Sequence, residues 1–354
     1  MASVDFSDTL VIGISATALF DLSEADSVFR AKFAEDRESA VREYRDYMLV
    51  REEDDLADGT GMALVEALQG LNEHQIDDKD KPLVEVVVMS RNSPETGIRV
   101  LNNIRRKELN ITRHAFTGGE SVVDYLDAFG VDLFLSTSIK DAQRVTDEGN
   151  CAVAVVKEPP RDVSSVQKGQ VRIAFDGDAV LFDESSELVY KTEGLEKFQQ
   201  TEDLAQNVPL AEGPYATLLR KIARLQERLP FSVEFSPVKI AIVTARSAPA
   251  EMRVIKTLRH WGVYVDEVFF LGGVEKANVL KALKPHIFFD DQDLHLENAA
   301  YFVPSGKVPY KSNSPLSGYV AGPSDLSLFQ YEMSLKSSMS SIIGGCWYKW
   351  MNNV

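Results

Sequence analysis

Cysteine is almost absent from this chain. Cys151 and Cys346 are the only two among 354 residues, and neither sits in a CxxC pair or in a Cys/His cluster with metal-ligand spacing. That excludes a disulfide framework and fits a reducing cytoplasm. Long apolar runs are lacking as well: no stretch reaches the roughly 20 residues that cross a bilayer. The opening MASVDFSDTLVIG carries no basic segment ahead of its apolar run, so neither export nor membrane insertion is expected. Positive charge is scarce. The 38 Lys and Arg face 54 Asp and Glu, for a net charge of -16, which repels a polyanion and argues against nucleic-acid binding. The five histidines show no ligand spacing. What remains is a composition 44% hydrophobic, with 21 Gly and 14 Pro, that of a folded globular protein long enough for two domains or one elaborated α/β unit.

Short β-branched runs alternate with amphipathic helical patterns, the rhythm of a parallel sheet covered by helices on both faces. Strands are expected at Thr9–Ile14, Leu83–Met89, Ala115–Thr117, Asp132–Leu135, Cys151–Val156, Val171–Phe175, Val238–Val243, Glu267–Leu271 and His286–Phe289. Helical spacing is clearest over Ala25–Leu49, Thr96–Arg106 and Ala216–Arg228. The acidic run Glu52–Asp58 reads as a solvated face or loop, and the polar stretch PPRDVSSVQKGQ as a connection between two halves.

The halves repeat one another. MSRNSPETGIRVLNNIRR (89–106) lies over VTARSAPAEMRVIKTLRH (243–260) at an offset of 154, which continues to set FTGG on FLGG and DLFLST on HIFFDD; at 161, VIGISATA overlies RIAFDGDA. This suggests a tandem duplication of one α/β unit. Asp176 then corresponds to Ser15, Asp178 to Thr17, Lys276 to Val122, Asp290 to Ser136 and Asp291 to Thr137. One copy looks catalytic and the other retired.

In the second copy, Val171–Phe175 ends at Asp176-Gly177-Asp178, just past the carboxyl edge of a parallel sheet, where such sheets bind ligands. Two like charges so close are costly unless a cation lies between them or one stays protonated, which suggests a metal site. KIAIV ends at Thr244, whose hydroxyl, with the backbone amides that follow from Ala245 on, suits a phosphate oxygen. Lys276 follows the Gly272-Gly273 turn and offers the same phosphate a point charge. IFFDD places Asp290 and Asp291 at a further strand end, where they could complete an oxygen-rich Mg²⁺ shell.

This order, hhhhDxD, hhhT, Lys, hhhhDD, resembles the four motifs of the haloacid dehalogenase (HAD) superfamily. The resemblance implies that Asp176 attacks phosphorus, while Asp178 protonates the leaving oxygen and later activates water. It gives Thr244 and Lys276 the phosphoryl oxygens, and Mg²⁺ to Asp176, the Asp178 main chain and one or both of Asp290 and Asp291. Longer phrases, VIGISATALFDL, MSRNSPETGIRVLNNI, RIAFDGDAVLFDE, PLAEGPYATLLRKIARLQ and KPHIFFDDQDLHL, are similar to the cytosolic type I 5′-nucleotidase family. That similarity implies a nucleoside 5′-monophosphate substrate; another phosphomonoester such as a sugar phosphate, and a non-catalytic nucleotide-binding protein, stay open as alternatives.

The expected fold is therefore α/β, a HAD-like Rossmannoid parallel sheet. Residues 1–158 form the degenerate repeat, 159–310 the catalytic domain with a helical cap insert at 184–236, and 311–354 a C-terminal tail packing on the domains. Phe198, Tyr215 and Phe231 in the insert either stack on a base or, as favoured, fill the cap core. Arg246 and Ser247 either touch ribose or phosphate or cap the following helix. His295 has more of a surface or supporting role than a direct one. The expected setting is cytoplasmic, with no nucleic-acid or membrane partner, and a homo-oligomer is left open.

Overall fold

A computed structural model of the chain describes residues 6–75, 81–162, 169–232 and 235–318. Residues 1 to 312 make one compact unit, and the remainder from 313 a second. The tail expected over 311–354 falls, from residue 319 on, outside the described residues, as does the middle of the connection at 159–170.

Ten strands among the described residues form one sheet: β1 (Leu10–Ile14), β2 (Val84–Ser90), β3 (Arg113–Phe116), β4 (Leu133–Ser136), β5 (Ala152–Val156), β6 (Val171–Phe175), β7 (Val238–Thr244), β8 (Glu267–Phe270), β9 (Ile287–Asp290) and β10 (Ser305–Lys307). The α/β class and the mostly parallel sheet are those expected. The first nine strands stand where the β-branched runs place them. The tenth carries no such run; its three residues Ser305-Gly306-Lys307 are held between β9 and β5.

The order is β3-β2-β1-β4-β5-β10-β9-β6-β7-β8. Within β1 to β5, and again within β6 to β10, neighbours run parallel; only the seam, Gly306 against Val156 and Lys307 against Val155, is antiparallel. Each half thus has the same strand order, read outward from the seam, and strand direction reverses between them.

Alternation along each strand divides the core into layers. Leu10, Ile12 and Ile14 of β1, Ile173 and Phe175 of β6, and Ile287 and Phe289 of β9 share one apolar cluster that spans both halves. On the opposite face, Val11 belongs to a first-half cluster with Ala142 and Val145, and Ala174 and Phe288 to a second-half cluster with Leu280 and Leu296. Truncating a fully buried ring such as Phe289 to Ala in such a layer costs about 3–5 kcal/mol.

The helices are α1 (Ala16–Leu19), α2 (Ser23–Phe33), α3 (Arg37–Val50), α4 (Met62–Gly70), α5 (Ile98–Arg106), α6 (Ile139–Glu148), α7 (Ser185–Glu193), α8 (Leu195–Leu204), α9 (Ala216–Arg228), α10 (Glu251–Trp261), α11 (Lys276–Leu283) and α12 (Asp293–Ala299). The single helix expected over Ala25–Leu49 is two. Asp36 interrupts it, its carboxylate accepting from the amides of Glu38 and Ser39 at 3.0 and 3.2 Å as the N-cap of α3. The acidic run beyond α3 is an ion-paired loop, with Glu53 and Asp55 on Arg106 and Asp58 on Lys107.

Residues 184–236 divide in two. The stripe Leu218, Leu219, Ile222 and Leu225 seats α9 in the cluster shared by both halves, and Lys221 on the same helix pairs with Asp132 of the first half at 2.7 Å. Helices α7 and α8 instead send Glu187 and Glu202 toward residues at the carboxyl ends of β7 and β9.

Candidate active site

Strand β6 delivers Asp176 past its last buried residue. The Asp176 amide donates to the carbonyl of Phe289 on β9 at 2.8 Å, and its Oδ1 accepts the amide of Gly177 at 2.7 Å. A Cβ on Gly177 would lie 3.3 Å from Oγ1 of Thr244, so glycine lets the ends of β6 and β7 approach. The chain then turns through Ala179, whose φ of 58° is the left-handed region. A non-glycine residue there costs of order 1–3 kcal/mol and is retained where a neighbouring side chain must be aimed. Here the neighbour is Asp178.

Four motif residues meet at one point. Nζ of Lys276 lies 2.9 Å from Oδ2 of Asp176 and 2.7 Å from Oδ2 of Asp290. Asp290 also accepts the amide of Gln292 at 2.8 Å through Oδ1, while Asp291 accepts from the hydroxyl of Tyr310. Asp176, Asp290 and Asp291 each bring a carboxylate oxygen to within 4.8 Å of the others. Lys276 reaches the cluster because the left-handed glycines Gly272 and Gly273 (φ 54° and 97°) reverse the chain just ahead of α11.

Burial and mutual repulsion shape the charges. Asp176 is pushed up to about 6 by burial, against the pull of Lys276 and with the push of Asp290. Burial, Asp290 and Asp176 also raise Asp291 well above the usual carboxylate range, and burial raises Asp290 too. Burial opposes the charge on Lys276, yet Asp176 and Asp290 outweigh it and raise its pKa. One ammonium among three buried carboxylates leaves an excess of negative charge, which a divalent cation suits. Oδ1 of Asp291 is buried with no hydrogen-bond partner among the described residues, an oxygen ready for such an ion.

Asp178 stands apart from that cluster. Both its oxygens are taken by Arg246, at 2.6 Å from Nη2 and 2.8 Å from Nε. Thr244 is buried at the end of β7, and its Oγ1 accepts the amide of Arg246 at 3.3 Å. Ala245 is exposed, and Ser247 lies against the Gly272 turn. Arg246 does not open onto solvent: it is 3% exposed, with Phe198 beneath its guanidinium at 5.2 Å. Tyr215 is fully buried against Phe289 and Phe231 is half exposed beside His74, so neither ring lines this point.

Sequence reasoning missed Glu187, Glu202 and Tyr310. Glu187 accepts from Gln292 at 3.0 Å and is raised to about 7 by burial and by Asp178. His295 is lowered to about 4 by burial and by the charge of Lys276. None of the missed residues ends a strand, and their sequence surroundings carry no motif.

The first half repeats this geometry in hydroxyls. The amide of Ser15 donates to Leu135 at 2.8 Å, as Asp176 does to Phe289. Ser136 accepts from the amide of Ser138 at 3.0 Å, as Asp290 does from Gln292, and Ser90 from Asn92 at 3.2 Å, as Thr244 does from Arg246. Ser15 bonds Thr17 at 3.1 Å and Thr17 bonds Thr137 at 2.5 Å, so hydroxyls bond one another where the second half has carboxylates.

Comparison with known proteins adds the family. A family model described as 5′-nucleotidase matches residues 2–315. Cytosolic 5′-nucleotidase 1B of Homo sapiens is 34% identical over 297 residues, 82% of this chain and 47% of its own length; the chain thus spans about half the length of that relative. Among solved structures, histidinol dehydrogenase from Elizabethkingia anophelis aligns over 82% of this chain and 75% of its own at 9% identity, with a TM-score of 0.23, too low to bear on fold or function. With a match that takes in both halves and every motif residue above, the chain belongs to the 5′-nucleotidase family.

Proposed function

We propose that this chain hydrolyses nucleoside 5′-monophosphates to nucleoside and phosphate, with Mg²⁺ as cofactor and Asp176 as nucleophile. The observation that carries the proposal is the meeting of Asp176, Lys276, Asp290 and Asp291 at one buried point, in a chain of this family. Asp176, Asp290 and Asp291 fit a divalent ion, which when bound would offset charge on the phosphoryl group. In the first step an Asp176 oxygen bonds phosphorus as the bond to O5′ breaks, and Asp178, which must first take up a proton on one of the oxygens that Arg246 holds, gives that proton to O5′. In the second, water attacks the same phosphorus, Asp178 takes the water's proton, and Asp176 returns to a free carboxylate with phosphate released. Lys276 and Thr244 hold phosphoryl oxygens throughout.

The same reading treats 159–310 as the catalytic domain, 1–158 as its degenerate copy acting as scaffold, and α7 with α8 as the cap. Matching strand order and matching hydrogen bonds at Ser15, Ser90 and Ser136 support the duplication. The test is phosphate release from a panel of nucleoside 5′-monophosphates and sugar phosphates, with Mg²⁺ and with a chelator, for wild type beside Asp176→Asn. Mg²⁺-dependent release from nucleotides, reduced at least about 1,000-fold in the folded variant, is expected. Release from sugar phosphates alone would discard the substrate, and activity retained in the variant would discard the nucleophile.

A further inference from the structure

The acid–base residue is not free to choose its own direction. Asp178 follows a glycine and precedes a left-handed Ala179, a turn that fixes its backbone and leaves the carboxylate to be aimed by what it touches. It touches Arg246. The fork of Nη2 and Nε grips both carboxylate oxygens, a planar two-point contact that sets rotation as well as distance. The remaining nitrogen, Nη1, donates to Oε2 of Glu202 on α8. The other oxygen of Glu202 accepts from Ser186 of α7 at 2.8 Å and from Arg253 of α10 at 2.9 Å. Arg246 is 3% exposed and Glu202 1%. Asp178, Glu202 and Arg246 are buried and Arg253 is partly so; the two acids and two guanidiniums balance in charge, but burying such pairs adds little net stability over apolar packing. What the chain of contacts adds is a rigid connection from three helices to one catalytic carboxylate.

We propose that Arg246 is the positioning residue of Asp178, and that Glu202 fixes Arg246, so that the helices at 185–204 set the aim of the acid–base group. This rests on the reading of Asp178 as the group that protonates O5′. Arg246 itself then contacts neither ribose nor phosphate. Lysine cannot replace it, because a point charge grips one oxygen and leaves the carboxylate free to rotate.

The test compares a nucleoside 5′-monophosphate with its analogue carrying sulfur at the bridging 5′ position, whose thiolate leaves without a proton. Both present the same base, sugar and phosphoryl group. In Glu202→Gln and Arg246→Lys, kcat/KM for the oxygen substrate should fall about 10–100-fold, part of the roughly 100–10,000-fold that general acid catalysis supplies, and that for the sulfur analogue by less than about 3-fold. Equal losses on both substrates would overturn the inference, since a lost substrate contact or loosened fold acts on both alike. Asp178→Asn separates the two levels of the argument. If it too lowers both substrates equally, the acid–base reading falls; if it discriminates and the other variants do not, only the positioning role falls. Should Glu202→Gln fail to fold, Ser186→Ala, which removes one hydrogen bond from Glu202, should shift the ratio in the same direction, and an unchanged ratio there would overturn the proposal.

Discussion

Tyr310 donates its hydroxyl to Oδ2 of Asp291 and leaves Oδ1 of that carboxylate buried and without a partner among the described residues. The bond favours the charged form of an acid that burial, Asp290 and Asp176 push the other way. Tyr310→Phe removes it, so protons compete better with a cation for Asp291. The Mg²⁺ concentration giving half-maximal activity should rise about 10-fold, the usual scale for a lost supporting contact at a metal site. A Mg²⁺ titration of phosphate release reads this directly, and an unshifted midpoint would mean that Asp291 is not a ligand.

Lys276 places an ammonium between Asp176 and Asp290. Lys276→Met should abolish turnover and, with metal chelated, lower the unfolding free energy by about 3 kcal/mol, because buried charge is left uncompensated. Added Mg²⁺ should recover more stability in the variant than in wild type. Denaturant melts with and without Mg²⁺ measure this, and an equal gain in both would show that lysine and metal do not act on the same carboxylates.

His286 gives a pH dependence away from the site. Its Nδ1 accepts the amide of Arg172 at 3.0 Å, and burial lowers its pKa from 6.5 to about 4. The unfolded chain therefore binds the extra proton between those values, and stability falls as pH falls through that window, by up to about 1.4 kcal/mol per unit. His286→Gln keeps an acceptor for the amide and loses the proton site. Its unfolding free energy should decline less steeply than wild type between pH 6.5 and 4; parallel curves would remove His286 as the cause.

Installing Ser15→Asp with Thr17→Asp in an Asp176→Asn background should restore no phosphate release. The first half would still carry Val122 where Lys276 stands and Ser136-Thr137 where Asp290-Asp291 stand. Measurable Mg²⁺-dependent turnover in the triple variant would show that the hydroxyl set suffices.

The parts of the site that sequence makes legible are those fixed locally. Asp176, Thr244 and Asp290 each close a buried β-branched or aromatic run, so the run that predicts the strand also predicts where the side chain emerges. Glu202 has no such marker. In LEKFQQTEDL it is one acid among several polar residues, and only the pairing with Arg246, 44 residues further on, distinguishes it. Tyr310 lies beyond a three-residue strand that no periodicity announces. The break between α2 and α3 was hidden for the opposite reason: helical spacing continues through it, and the single cap at Asp36 decides.

The reversal of strand direction at Val156 and Gly306 has a spatial result for the two copies. Ligands meet a parallel sheet beyond the carboxyl ends of its strands. In this protein those ends face away from each other, so Ser15 with its hydroxyls opens at one edge of the molecule and Asp176 with its carboxylates at the other. The two sets of strand ends are separated by the length of the strands themselves, and the sheet with the apolar layer both halves share lies between them.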